Sequence, residues 1–496
     1  MNTRLLGNSL MVAVVPLLFA CGGSDDDSPV TALTTETPAT VVGPITGFGS
    51  VVVNGIRLDD SAATITMDDA VMTRDRLRIG MTVQVRARIR SDGTAVADSI
   101  QYNDCMEGPI TAMNRVQNTV EVMGQTVRVD DGTVFDGVTQ RDMNAFAIGD
   151  LVEVSCLPDP AHNRVQATRM ERLRSFASGV DTVEVKGRVA NLNLAAGTCT
   201  LGALTVNFSG VAAAQRPAGL ANGMTVEASG KQLANGLLTA DRLRDRDRDR
   251  IHWPDGTAVE VEGYVTDFVS LSNFKVDTRV VNASSAVIRN GTAADVANGV
   301  RVEAEGPVVN GVLMAARLAL KLPTNVRVEA GLQSKDATAG TVTLLGRPFR
   351  LTADTVILDR SGSLSMQPRA ITLAVLSPGE RLEVKGWRDA GGALTAARIE
   401  RTDADPLVVV KGPADAKTPT VQLTLAGFKV ITGASSRYRD ADGTLIDAAA
   451  FYSLVTVPPA VSTAVHARGV VASLAANDLD ATRTSSTTGE LEIAAQ

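Results

Sequence analysis

At 496 residues the chain is too long for one hydrophobic core, so several folded units are expected. Aromatics make up 3% of the residues against 43 glycines, a mixture that suits short strands joined by tight turns and argues against helical bundles with large cores. A net charge of -7 disfavours a dedicated nucleic-acid binder, and 21% charged residues is too few for a chain disordered throughout.

The chain opens with Arg4 and an apolar stretch over residues 10–20, then Ala20 immediately before Cys21. This is the pattern of a bacterial lipoprotein signal, so residues 1–20 are expected to be removed and Cys21 to carry the lipid. More than one acyl chain on Cys21 would give stable membrane anchoring. Gly22 after the cysteine, rather than Asp, resembles the pattern for the outer membrane, which leaves the face of that membrane open. The expected address is therefore the cell envelope. Residues 21–42 turn abruptly polar, CGGSDDDSP first, and read as a flexible tether. No later stretch approaches the roughly 18 continuous apolar residues that span a bilayer.

From Gly43 a block of about 65 to 90 residues returns six times, beginning near Gly43, Gly108, Gly187, Gly263, Gly331 and Gly412. Its anchor is the penultimate strand: IGMTVQVRARI from Ile79, IGDLVEVSCL from Ile148, NGMTVEASG from Asn222, NGVRVEAEG from Asn298, PGERLEVKG from Pro378, and a degenerate STAVHARG from Ser462. Each copy reads as a first strand after the Gly, a second strand, and a third resembling TVRVDDGTVF at Thr126. A variable connection, the anchored fourth strand and a fifth strand of period two complete it. In the first copy Asn54-Gly55 marks a hairpin. The expected fold is all-β: a tandem array of about six small five-stranded barrels of the oligonucleotide/oligosaccharide-binding (OB) type, with a meander or sandwich fitting nearly as well. The units are placed at 43–104, 107–174, 183–247, 258–322, 326–404 and 407–496, the last one divergent. Each closes on its own fourth and fifth strands, so the copies need not share a core.

GPITGFGSVVVNGIR, the later LRIGMTVQVRARIRSDGTAVADSIQY and the following EGPIT resemble the bacterial family known as domain of unknown function 5666. The resemblance implies repeated small β-barrel units on exported lipoproteins. It implies no activity and brings no catalytic residues.

Three cysteines remain after Cys21. Cys105 precedes the first strand of unit 2 and Cys156 lies in its fourth, elements that pair in such a barrel, so a disulfide between them is expected; Cys199 is expected to pack as a small apolar residue. Metal-ligand spacing is lacking, and no metal or cofactor is expected. His162, His252 and His466 fall in three different units and are expected at the surface or at edges. Neither GxSxG nor HExxH occurs, and the carboxylate pairs Asp68-Asp69 and Asp130-Asp131 sit at turns, where Asp satisfies local backbone donors. GFG at residues 47–49 precedes a strand and hairpin, so it reads as a bend and not a phosphate cradle. The run RLRDRDRDRIHW at 242–253 alternates charge. It reads as a solvated extension between units 3 and 4, or as a contact face in which Arg244, Arg246, Arg248 and Trp253 meet an anionic partner. Trp387 is the other candidate ligand contact. The expected function is noncatalytic: a lipid-anchored envelope protein whose barrels serve as spacer or interaction scaffold, with an envelope protein or glycan as the possible partner and no nucleic acid. The alternative is a carbohydrate- or small-ligand-binding lipoprotein.

Overall fold

The first strand of unit 2, Met106–Asn114, pairs antiparallel with the second, Thr119–Val122, and the second with the third, Gln125–Arg128. The third strand and its continuation, Val134–Asp136, run parallel to the fifth, Arg164–Ser175. The fourth, Asp150–Asp159, joins the fifth to the first. The strand order 1-2-3-5-4-1 is a closed five-stranded Greek key, the OB arrangement. In the computed structural model this order closes every unit. The structure describes residues 36–496 apart from 69, 91–93, 103, 116, 139–142, 247–252, 363–366, 390, 472–476, 483–488 and 495–496.

Alternating Val-x-Val stretches supply the barrel interiors, because successive side chains on a strand point to opposite faces. In unit 2 Val120, Val122, Val127, Val154 and Met170 are buried. Asn54 and Gly55 take positive φ of 51° and 83°, as a two-residue hairpin of this twist requires. The connection between third and fourth strands holds a 3-10 turn shortly before the fourth strand in each of units 1 to 5, for example Met143–Ala145. In unit 6 a short helix, Ala448–Leu454, replaces it, with Asp447 accepting from the Ala450 amide at its start. Near the end of the fourth strand, Gly230, Gly306, Gly386 and Gly469 each lie against a fifth-strand carbonyl: a Cβ there would stand 2.3, 2.0, 1.9 and 2.2 Å from it. Unit 2 carries Cys156 at this place in the repeat.

The units are not separate beads. The first strands of units 2 and 3 pair antiparallel, Glu184 opposite Glu107 and Val185 opposite Met106, and a single buried cluster runs through both barrels. Units 5 and 6 join in the same way, Arg327 opposite Lys411 and Val328 opposite Val410, and again one cluster serves both. Units 1 and 4 pair in parallel, Ala39–Val42 alongside Ala258–Val261. The copies, which need not share a core, nevertheless do so in these two antiparallel pairs, whose valines continue across the paired first strands. Pairing with its own fourth strand, Thr37 opposite Ile89, also moves the start of unit 1. Its first strand begins at Thr37 within the stretch expected to be tether, with Ala39 and Val41 buried. At the other end of that strand, Phe48 is buried and its backbone pairs with the connection between the third and fourth strands of unit 5: its amide donates to the Pro368 carbonyl at 3.0 Å, and its carbonyl accepts from the Ala370 amide at 3.0 Å.

Candidate functional site

The polar face of each first strand would face solvent in a lone barrel, yet in the two antiparallel pairs it becomes a seam. Cross-strand register lines up a row of side chains across six strands in each seam. In units 2 and 3 the row reads Glu171, Glu153, Glu107, Glu184, Ser229, Arg242. In units 5 and 6 the equivalent row, fifth strand to fifth strand, reads Arg398, Lys385, Arg327, Lys411, His466, Glu492. Like charges directly opposite one another destabilise a sheet, so each row needs compensation from elsewhere.

The acidic seam is compensated by cations set beside it. Lys186 Nζ lies 2.8 Å from Asp104, 3.4 Å from Glu184, 3.6 Å from Asp68 and 3.8 Å from Glu227. Oxygens of Asp68, Asp104 and Glu184 come within 4.8 Å of one another, a spacing that could serve a metal ion, but the Lys186 ammonium already stands among them. Arg242 reaches Glu184 and Glu227, Arg246 pairs with Glu227, and Arg169 reaches Glu171 at 2.8 Å. The Tyr102 hydroxyl, from unit 1, donates to Glu153 at 2.6 Å. Compensation is incomplete. Burial, reinforced by the Asp104 charge, pushes the Glu107 and Glu153 carboxyls up to about 7 and that of Glu184 up to about 8. Burial raises Asp104 itself to about 6 against the pull of Lys186.

The basic seam is compensated within unit 5 by the adjacent row on the same face, Glu400, Glu383 and Glu329. Arg398 pairs with Glu400, Arg327 with Glu329 and at 2.8 Å with Glu383, and Lys385 with Glu383 at 3.3 Å. In unit 6 the positions that continue this acidic row are Val409 and Arg468. Lys411 instead pairs with Asp131 of unit 2 at 2.9 Å. Burial acts to raise the Asp131 carboxyl, yet Lys411, with Arg327 and Lys385 behind it, holds it below the usual carboxylate range. Between Asp131 and this end of the row lies a cavity of about 90 Å³, whose walls include Arg115, Arg327, Lys385, Lys411 and His466. His466 Nε2 is buried there without a hydrogen-bond partner. Burial and the cations Arg468, Arg327 and Lys411 hold the imidazole well below its usual value, and thus neutral.

The structure treats the sequence candidates unequally. Cys105 and Cys156 Sγ are bonded, with 5.9 Å between their Cα atoms, and Cys199 is buried as a free thiol. Trp253 is 6% exposed in the core of unit 4, with the Arg279 guanidinium 5.0 Å from its ring centre, so it offers no stacking face to a ligand. Its apolar ring adds more by completing a small barrel core than by standing in water. Arg246 is 7% exposed and turned onto Glu227, away from any external anion, whereas Arg244, on the fifth strand of unit 3, is half-buried. Trp387 is half-buried on the fourth strand of unit 5. His162 bonds Asp159 at 2.8 Å, and His466, expected at the surface or an edge, is half-buried at the unit 5–6 seam with its Nε2 enclosed. Cys21, Asp69, Arg248 and His252 lie outside the described residues. The sequence gives Lys411 and His466 no motif, and only the register of three strands brings them to Arg327.

Among the described residues no helix is long and apolar enough to cross a membrane. No curated protein matches the chain. A solved chain described as "drosophila Unr CSD456" is similar over 43% of this chain and 97% of its own, at 15% identity and a TM-score of 0.14, an overlap too slight to bear on function. The family model described as "Domain of unknown function (DUF5666)" matches five segments, 41–101, 107–171, 186–244, 255–319 and 328–400, each falling on one of the first five barrels. With more than half of its length so matched, the chain belongs to the DUF5666 family.

Proposed function

We propose that this is a noncatalytic, lipid-anchored protein of the cell envelope, in which a stiff array of barrels acts as spacer or interaction scaffold. The observation that supports this reading is the pairwise merging of barrels through first strands and shared cores, which limits motion between the joined units. Anchoring rests on Cys21 and its preceding apolar segment, and the outer membrane on Gly22. Two measurements test the reading. Metabolic labelling with a fatty acid should mark the wild-type chain and not Cys21→Ser, and the variant should leave the membrane fraction. A purified chain lacking the first 21 residues should turn over no glycan, ester or peptide; turnover of any of them removes the scaffold reading.

A second reading, a glycan- or small-ligand-binding module, has one observation in its favour. A shallow polar groove of about 410 Å³ lies at the boundary of units 5 and 6, lined by Asn325, Arg388, Asp389 and Pro413. Arg388 is fixed there by two bonds to Asp415 at 2.6 and 2.8 Å. A glycan array with wild type and Arg388→Ala decides between the two readings: array signals that vanish in the variant favour the module.

A further inference from the structure

The cavity between unit 2 and unit 6, about 90 Å³, has room for several waters or for a small oxyanion. Its charge is uneven. Arg327 and Lys385 have carboxylates in the neighbouring row, but Lys411 and His466 have Val409 and Arg468 in the corresponding places. Among the described residues Asp131 is the single carboxylate in ion-pair contact with Lys411. The orphaned His466 Nε2 on the wall is a second, independent sign, since a buried ring nitrogen without a partner is costly.

We infer that this cavity is a binding site for a small, free oxyanion such as sulfate, phosphate or a short carboxylate, held by Lys411 Nζ, the Arg327 guanidinium and His466 Nε2. The inference is independent of the scaffold reading and would stand if that reading failed. Charge-assisted hydrogen bonds from the two cations would supply most of the affinity, and Asp131 would oppose it by competing for Lys411. His466 is faced by Lys411 from the first strand, Glu492 from the fifth, Arg468 on its own strand, Arg327 from unit 5, and Asp130 and Asp131 from unit 2. An anion in the cavity offsets the three cations that, together with burial, keep the ring neutral, so binding draws a proton onto His466. Affinity should therefore rise as pH falls.

Sulfate is the suitable probe, because its own charge is constant across the range tested. Titration calorimetry on the full chain in detergent should show one site, binding more tightly at pH 6 than at pH 8. Lys411→Met should weaken it by roughly tenfold or more, the loss expected of one charge-assisted bond. His466→Gln should keep binding but flatten its pH dependence. Asp131→Asn should tighten binding at both pH values, a gain that a damaged fold cannot produce. Two results overturn the inference: no sulfate binding by wild type or Asp131→Asn at either pH, or binding that Lys411→Met and Asp131→Asn leave unchanged, which places the anion elsewhere.

Discussion

The seam between units 2 and 3 and the seam between units 5 and 6 are built on one plan with opposite charge. In both, first strands meet antiparallel, and a row of six side chains crosses the joined barrels; four glutamates open one row, and three cations and a histidine follow an arginine in the other. The backbone geometry thus leaves the sign of the seam free. What it fixes is the need for compensation, met by Lys186 among carboxylates in one case and by a second row of glutamates plus Asp131 in the other. Charges that are merely solvated in a single barrel become structural once two barrels join.

The sharpest break of this symmetry is Lys186→Met. It leaves Asp104, Glu184 and Glu227 enclosed without their shared ammonium, and should cost about 3–5 kcal/mol in chemical denaturation. Lys411→Met should cost less, because it also relieves a cation pair with Arg327; an equal or larger loss would show that the two seams do not follow one rule. Next comes the disulfide found only on the acidic side. Replacing Cys105 and Cys156 with Ala opens a crosslink spanning 51 residues, with an expected loss of about 2–4 kcal/mol, and a denaturation midpoint unchanged by reductant would refute it. Gly386→Ala on the basic side should cost about 1–3 kcal/mol through its clash with the Thr395 carbonyl, measurable as a lowered melting temperature.

The smallest effect is the most discriminating. The raised carboxyls of Asp104, Glu107, Glu153 and Glu184 bind protons more tightly in the folded state, so the stability they contribute is greatest below about pH 4 to 5 and is lost as pH rises through about 6 to 8. The depressed His466 works in the other sense: its contribution is present above about pH 6.5 and is lost as pH falls below that value. Hydrogen exchange at pH 5, 6.5 and 8 should show units 2 and 3 loosening toward alkaline pH and unit 6 loosening toward acid. A common trend in both seams would end the comparison, and Glu184→Gln should blunt the alkaline loosening alone.

Much of the barrel was legible because its signals are local. The recurring fourth strand, the Asn-Gly hairpin and the period-two fifth strands all act within one unit, and so does the Cys105 to Cys156 contact. The seams were not legible, since pairing Glu107 with Glu184 or Arg327 with Lys411 depends on which barrels meet and in what register, and no short-range pattern encodes it. The same gap explains two individual misses: Trp253 reads as exposed beside a charged run until the unit 4 core takes it in, and His466 reads as a surface residue until the seam with unit 5 encloses its Nε2. Thr37 to Val42 reads as polar tether for a different reason, since its partner is the fourth strand of its own unit, about fifty residues along the chain.

The parallel contact of Ala39–Val42 with Ala258–Val261 sets a timetable for the chain's own birth. A ribosome must make more than half of the protein before Ala39–Val42 gain this partner strand, so the outer edge of that strand waits while units 2 and 3 are made. Contacts of such long sequence separation form late and slowly, and an open strand edge in the interval is a template for wrong partners. The nascent chain therefore depends on whatever shields the outer edge of residues 39–42 until the fourth barrel arrives, and a truncation before residue 258 should aggregate where the full chain does not.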